Sequence, residues 1–313
     1  MKNNTSWLSL ALLLGLTVAF ASCQKETLKP TNSTSQTDQQ STAGDRSTVY
    51  YAVTNFDVSG GSRVLGIDQS TDVLVSNQAA FYVDPAGNVI QLVNLKGICL
   101  TDWGQYFITT GKPATSSGLP SPYDNSLFKI NPLTGQCSYL STDPGGTVTD
   151  LEFDPQSQNF YGLRENSNEV VEISNANNNN YADYSNPVSV FVPDDGYILK
   201  GLSLVQDGNG LYFIGAASNG IGGDPAKLYE VPIAGGVATF MNDLDILGGW
   251  VSGNCGIGYD LEYKRVNINR DWAITTAGIN YFQWQPPVNT NVVTTWTFAA
   301  DLHDCVDLTS SIY

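Results

Sequence analysis

Histidine is almost missing from this chain: His303 is the only one among 313 residues. A metal site with two imidazole ligands is therefore excluded, and a Ser-His-Asp triad would have to run through His303. That residue sits in Ala300-Asp301-Leu302-His303-Asp304, and no nucleophile elbow occurs anywhere in the chain. The five cysteines, Cys23, Cys99, Cys137, Cys255 and Cys305, stand apart with no Cys-x-x-Cys, which argues against a thiol redox motif or a zinc cage. No Asp-rich calcium loop of the EF type appears either. The expectation is that the chain carries no metal and no cofactor. Basic residues are scarce, 14 against 30 acidic ones for a net charge of −16. Such a field repels nucleic acid and anionic head groups, so nucleic-acid binding is excluded. The longest apolar stretch falls short of the ~20 residues that cross a bilayer, and no long segment keeps a helical apolar period.

What is present begins at the N-terminus. Lys2, the leucine-rich core from Trp7 to Phe20 and the small residues after it read as a signal peptide over 1–22. Phe20-Ala21-Ser22-Cys23 resembles the bacterial lipoprotein box, with Phe20 where leucine is usual. The resemblance implies that Cys23 becomes the first mature residue, carries palmitate or similar acyl chains, and anchors the protein to the outer membrane of a Gram-negative envelope. An ordinary secretory signal with an incidental cysteine is the alternative. Gln24-Lys25-Glu26 partly resembles the short tags that send lipoproteins to the cell surface, with one acidic residue only. Residues 23–47 hold one leucine and no aromatic. Such a segment cannot offset the entropy of ordering it, and it reads as a flexible tether.

Residues 48–313 read as one all-β domain: Val, Ile, Leu, Tyr and Phe alternate with polar residues and are broken by Gly, Asn, Asp and Pro. An internal repeat organises it. Lys96-Gly97-Ile98-Cys99-Leu100 is followed by Gln105-Tyr106-Phe107-Ile108, and Lys200-Gly201-Leu202-Ser203-Leu204 by Leu211-Tyr212-Phe213-Ile214. Midway lies Thr149-Asp150-Leu151-Glu152-Phe153-Asp154-Pro155, then Asn159-Phe160-Tyr161-Gly162-Leu163. A fourth copy opens at Cys255-Gly256-Ile257-Gly258-Tyr259-Asp260. Units of about fifty residues with four short strands each are the pattern of β-propeller blades.

This sequence pattern, with its Asp-Pro and Leu-Thr-Gly turns, resembles the YncE/NHL-like propellers, and the resemblance informs fold rather than function. Val49 to Thr54 reads as a second strand lacking an inner one, and Cys305 to Thr309 as an inner strand lacking a blade. Joined, the two chain ends complete one blade and bury a sheet edge. Five blades follow. Residues 63–77 and 79–93 both read as outer hairpins where one is expected, which leaves room for a sixth. A two-sheet sandwich or a β-solenoid is the competing architecture. Four cysteines in the domain allow three full pairings, with Cys255 and Cys305 on neighbouring inner strands.

Two sets of residues carry chemistry. Asp102, Asp150, Glu152, Asp154, Asp260 and Asp307 fall on inner strands, where five-bladed glycoside hydrolases hold their carboxylates, although Asp154-Pro155 and Asp102-Trp103-Gly104 are turn formers by type. The loops leading into the inner strands gather at one mouth and bring Asp194, Asp195, Tyr197, Trp250 and His303. Exposed aromatics beside carboxylates stack on sugars or anchor a protein, so these five are the candidate ligand contacts; Trp250 serves equally as a channel plug. The leading expectation is a lipid-anchored module that binds or scaffolds a glycan, peptide or envelope protein. A glycan hydrolase and a structural subunit of an envelope complex are the alternatives.

Overall fold

The described part of the computed structural model comprises residues 49–54, 61–68, 73–117, 119–176, 182–207, 210–221, 224–247, 257–260, 265–270, 278–285, 288–289, 294–297 and 305–310. They lie in the compact unit Ser47–Tyr313. The segments 1–22 and 23–47 with Cys23, together with Trp250, Cys255 and His303, lie outside the described residues.

Among the described residues every regular element is a strand. In chain order they are β1 (Val49–Thr54), β2 (Arg63–Asp68), β3 (Val73–Ala79), β4 (Phe81–Val83), β5 (Val89–Gln91), β6 (Leu95–Leu100), β7 (Tyr106–Thr110), β8 (Ser126–Ile130) and β9 (Gln136–Thr142). Next come β10 (Val148–Asp154), β11 (Asn159–Arg164), β12 (Glu169–Ser174), β13 (Asp183–Tyr184), β14 (Val188–Phe191), β15 (Ile198–Asp207), β16 (Gly210–Ser218), β17 (Pro225–Val231), β18 (Gly236–Val237) and β19 (Thr239–Leu247). The last are β20 (Ile257–Asp260), β21 (Arg265–Arg270), β22 (Gly278–Gln285), β23 (Val288–Asn289), β24 (Thr294–Thr297) and β25 (Cys305–Ser310).

These strands form separate sheets in a propeller-like arrangement, with strand orders β25-β1-β2-β3, β6-β7-β8-β9-β4-β5, β10-β11-β12-β14-β18, β15-β16-β17-β19 and β20-β21-β22-β23. The two chain ends share a sheet as expected: β25 pairs antiparallel with β1, from Tyr50↔Ser310 to Thr54↔Cys305. The segment 79–93 forms no sheet of its own. Its strands β4 and β5 extend the neighbouring sheet, because β4 pairs parallel with β9 through Phe81↔Gln136 and Tyr82↔Cys137. The contact is tight: Gly135, at φ 75°, has no room for a Cβ, which would fall 2.0 Å from the Ala79 carbonyl oxygen.

Hydrophobic cores lie between successive sheets, not within one sheet pair, which argues against a sandwich. Tyr51, Val53 and Val64 pack with Ile98, Ile108 and Phe128. Phe107 and Leu127 pack with Leu151, Phe153, Phe160 and Val171. Tyr161, Leu163 and Val170 pack with Leu202, Phe213, Tyr229 and Val231. Cys99 and Cys137 sit inside these cores as free, buried thiols, so neither takes part in the disulfide pairings the cysteine count allows.

One irregularity recurs. In β6, β10, β15 and β25 the pairing register slips at Lys96, Thr149, Lys200 and Val306, each an extra residue beside the next strand. Such bulges bend a strand and re-aim side chains. Here they mark the start of four inner strands.

Candidate functional site

The mouth where the inner strands begin is held by bonds that pass from one sheet to the next. Lys96, buried at the bulge of β6, donates from Nζ to Glu165 Oε1 at 2.8 Å, just beyond the end of β11. Asn125 accepts from Thr147 Oγ1 at 2.7 Å through its Oδ1, while within its own sheet its carbonyl accepts from Asp143 N at 2.8 Å. Asn168 receives Leu199 N on its Oδ1 at 2.7 Å and donates to the Tyr197 carbonyl at 3.3 Å.

Arg164 is the most enclosed cation of this face, at 6% exposure. Its guanidinium is ion-paired with Asp143 and donates to the Gly146 carbonyl at 2.8 Å. Its Nε has no hydrogen-bond partner. The Asp143-Pro144-Gly145-Gly146 turn wraps it so closely that a Cβ on Gly145 would lie 2.4 Å from Arg164 Nη2. Asp143 itself takes the Gly145 N–H on Oδ1 at 2.7 Å.

The candidate ligand contacts are differently disposed from what their residue types suggest. Tyr197 is buried, not presented to a ligand: its hydroxyl donates to the Pro225 carbonyl at 2.9 Å and its ring lies 4.7 Å from Lys227 Nζ. Asp194 receives Lys227 Nζ at 2.6 Å and the Tyr229 hydroxyl. Those two bonds hold its carboxyl below the usual carboxylate range. Of the three described candidates only Asp195 is exposed. Sequence reasoning places Lys96 and Asp143 in loops at this mouth but names neither them nor Arg164 and Glu165 as contacts; the recurrence of Lys before Gly97 and Gly201 was the available signal.

The long loop from Gly111 to Asn125 is the most elaborated feature of this mouth. Asp124, 7% exposed, fastens it from inside, accepting from Ala114 N at 2.8 Å, Ser121 N at 3.2 Å and Ser121 Oγ at 3.0 Å. Thr110 Oγ1 donates to the Tyr123 carbonyl at 2.6 Å, and Asn125 N to the Gly111 carbonyl at 3.3 Å. The loop turns outward Lys112, Ser116, Ser117, Leu119 and Pro120, with Leu119 66% exposed.

Inside the ring lie three of the inner-strand carboxylates. Asp150 and Asp307 are buried and accept main-chain N–H groups of neighbouring inner strands, Leu202 N and Ile98 N respectively. Glu152 keeps a partial opening, and protein surrounds its carboxyl, which takes bonds from Ser203 and Leu204. Burial raises all three above the normal carboxylate range, Asp150 to about 7. Asp102 stands in a turn, as its residue type suggests; Asp154 ends β10 and caps the turn that follows, accepting from Gln156 N and Ser157 N. Among the described residues no group of three His, Cys, Asp or Glu is arranged to hold a metal ion.

No protein-family model matches the chain, and no curated protein matches it in sequence. Solved structures match it in shape. A chain of the nidogen/laminin complex is 9% identical, with 85% of this chain and 98% of that one covered and a TM-score of 0.46. A putative 6-phosphogluconolactonase from Bacteroides fragilis is 11% identical over 86% of this chain and 99% of that one, with a TM-score of 0.44. The hydrazine synthase of Kuenenia stuttgartiensis is 11% identical with a TM-score of 0.38; 78% of this chain matches it, spanning only 62% of that protein's length. At these identities and TM-scores the likeness carries nothing of those proteins' activities over to this chain.

Proposed function

We propose that this chain is a lipid-anchored envelope protein whose propeller binds a peptide or protein partner at the mouth where its inner strands begin. The observation that carries the reading is the Gly111–Asn125 loop. Its backbone is fixed from within by Asp124 and Thr110, while Leu119 and Pro120 face outward. A loop ordered before it meets a ligand loses less entropy on binding, and rigid scaffolds commonly carry such loops. Apart from Lys112 the outward residues named above are apolar or small, and the described tyrosines of this mouth, Tyr123 and Tyr197, turn their rings inward. That favours a proteinaceous ligand over a sugar stacked on an aromatic.

Five blades in the YncE/NHL-like manner are the architecture we infer. Five sheets are present, and their first strands touch in the order β25, β6, β10, β15, β20 and back to β25. The hydrolase alternative gains no support from Asp150 or Asp307, whose carboxylates are enclosed and committed to main-chain donors. The anchor is inferred from Phe20-Ala21-Ser22-Cys23.

Binding is tested by probing arrays of peptides and of glycans with the purified protein and with its Leu119→Asp variant. Saturable peptide binding that the variant loses is the expected result. Glycan binding indifferent to Leu119, or release of reducing sugar, would refute it. Cys23→Ser should move the protein from the membrane to the soluble exported fraction; unchanged membrane retention would remove the anchor from the proposal.

A further inference from the structure

Asp150 and Asp307 occupy the same place in two different sheets, each directly after the extra residue of its bulge. In the other two bulged strands that place is glycine, Gly97 in β6 and Gly201 in β15. Both aspartates are buried, at 2% and 0% exposure. Each grips a neighbouring inner strand: Ile98 N donates to Asp307 Oδ2 at 2.5 Å, and Leu202 N donates to Asp150 Oδ2. The other oxygen of Asp150, Oδ1, meets no N–H or O–H of an ordinary donor. The Leu151 main chain faces the Asp150 carboxyl as well, and beside it stands the carboxyl of Asp307, where β10 and β25 touch. Two carboxylates cannot bond to each other without a proton, and enclosed as a pair they do not both stay charged.

We propose that Asp150 and Asp307 share one proton in the folded protein, and that this carboxyl–carboxylate bond is a pH-sensitive clasp holding the C-terminal strand into the ring of inner strands. In the unfolded chain both side chains ionise above an ordinary carboxyl pKa of about 3.9, so folding at neutral pH takes one proton from solvent. Among the described residues, the other titratable groups facing the pair are Glu152 on β10, whose own carboxyl burial and the Asp150 charge raise, and the Cys99 thiol on β6, which burial keeps neutral. Burial raises both members of the pair, Asp150 to about 7. A raised folded-state value means that the stabilisation is complete below the unfolded pKa and is lost as pH climbs through the folded one. The clasp therefore loosens on the alkaline side of neutrality.

The test is thermal unfolding from pH 5 to 8.5 for the purified protein and for Asp307→Asn, Asp150→Asn and Glu152→Gln. An asparagine at 307 still accepts from Ile98 N and offers its own N–H to Asp150, so it imitates the shared proton permanently. The unmodified protein should lose at least about 5 °C of Tm across this range, since a proton taken up on folding makes stability fall with pH. Asp307→Asn should lose less than half as much and match or exceed the unmodified protein at pH 8.5, whereas Glu152→Gln should keep most of the decline. A flat curve for the unmodified protein, or an equally steep one for both asparagine variants, overturns the proposal. Should those variants fail to fold, infrared spectra of the unmodified protein decide. A protonated-carboxyl band at pH 6 that survives in Glu152→Gln supports the clasp, and its absence at pH 6 overturns it.

Discussion

The ion pair between Arg164 and Asp143 makes a strong quantitative prediction for the mouth. Arg164 has 7% and Asp143 2% of its side chain exposed. In Asp143→Ala the guanidinium keeps only the Gly146 carbonyl, with Nε already unpartnered. Removing one member of a buried pair leaves an uncompensated charge and costs about 3–5 kcal/mol. At about 2–4 °C per kcal/mol for a domain of this size, Tm should fall by roughly 6–20 °C. Adding Arg164→Met removes the stranded charge and leaves an apolar chain of similar length beneath the Gly145-Gly146 turn. Replacement of a whole buried pair by apolar groups is often near neutral, so the double variant should recover more than half of the loss. The assay is thermal and urea unfolding of the unmodified protein, both single variants and the double. A single variant within about 2 °C of the parent, the scale expected of a solvated surface pair, would refute the reasoning. So would a double variant as unstable as Asp143→Ala.

Other outcomes follow from the same contacts. Gly162 faces Val148 Cγ1 and the Asp150 carbonyl, at 2.1 and 2.8 Å from where a Cβ would stand; Gly162→Ala should cost about 1–3 kcal/mol through overpacking, read as a fall in the urea midpoint. Asp194→Ala should cost about 1–3 kcal/mol because it leaves the buried Tyr229 hydroxyl without its acceptor. Asp194→Asn should recover most of that, and failure to do so would assign the loss to the Lys227 pair instead. Deleting 305–313 removes the partner of β1 and strips Ile98 N and Asp150 of Asp307; the truncated protein should aggregate or unfold, whereas trimming 27–44 should leave Tm nearly unchanged. A truncation that melts like the parent would contradict the role given to β25.

The parts of this fold that were legible beforehand are those whose chemistry is local. Asp154 caps its own turn through Gln156 N and Ser157 N, and Asn131 receives Leu133 N, so Asp-Pro and Asn-Pro-Leu-Thr-Gly announce turns without outside help. The repeat spacing follows from such turns, and the pairing of Val49–Thr54 with Cys305–Ser310 follows from each segment lacking a partner. Long-range acceptors were not legible. Tyr197 reads as an exposed aromatic because nothing near it reveals the Pro225 carbonyl that takes its hydroxyl or the Lys227 ammonium over its ring. Likewise nothing near Arg164 in sequence reveals the Asp143 turn that folds around it.

The inner strands show most sharply where legibility ends. Asp150 and Asp307 attract notice as inner-strand carboxylates, and residue type alone suggests acid–base catalysis. What distinguishes them is their equivalence to Gly97 and Gly201, which becomes visible only when the bulges at Lys96, Thr149, Lys200 and Val306 set the register. A glycine at that place offers nothing to a neighbouring strand, while an aspartate reaches one main-chain N–H and still has an oxygen to spare. Two such aspartates, far apart in sequence, answer each other only in a closed ring. The departures from the repeat thus mark the places where the inner strands are bound to one another, and a carboxylate breaking a glycine position is a better sign of a structural bond than of a catalyst.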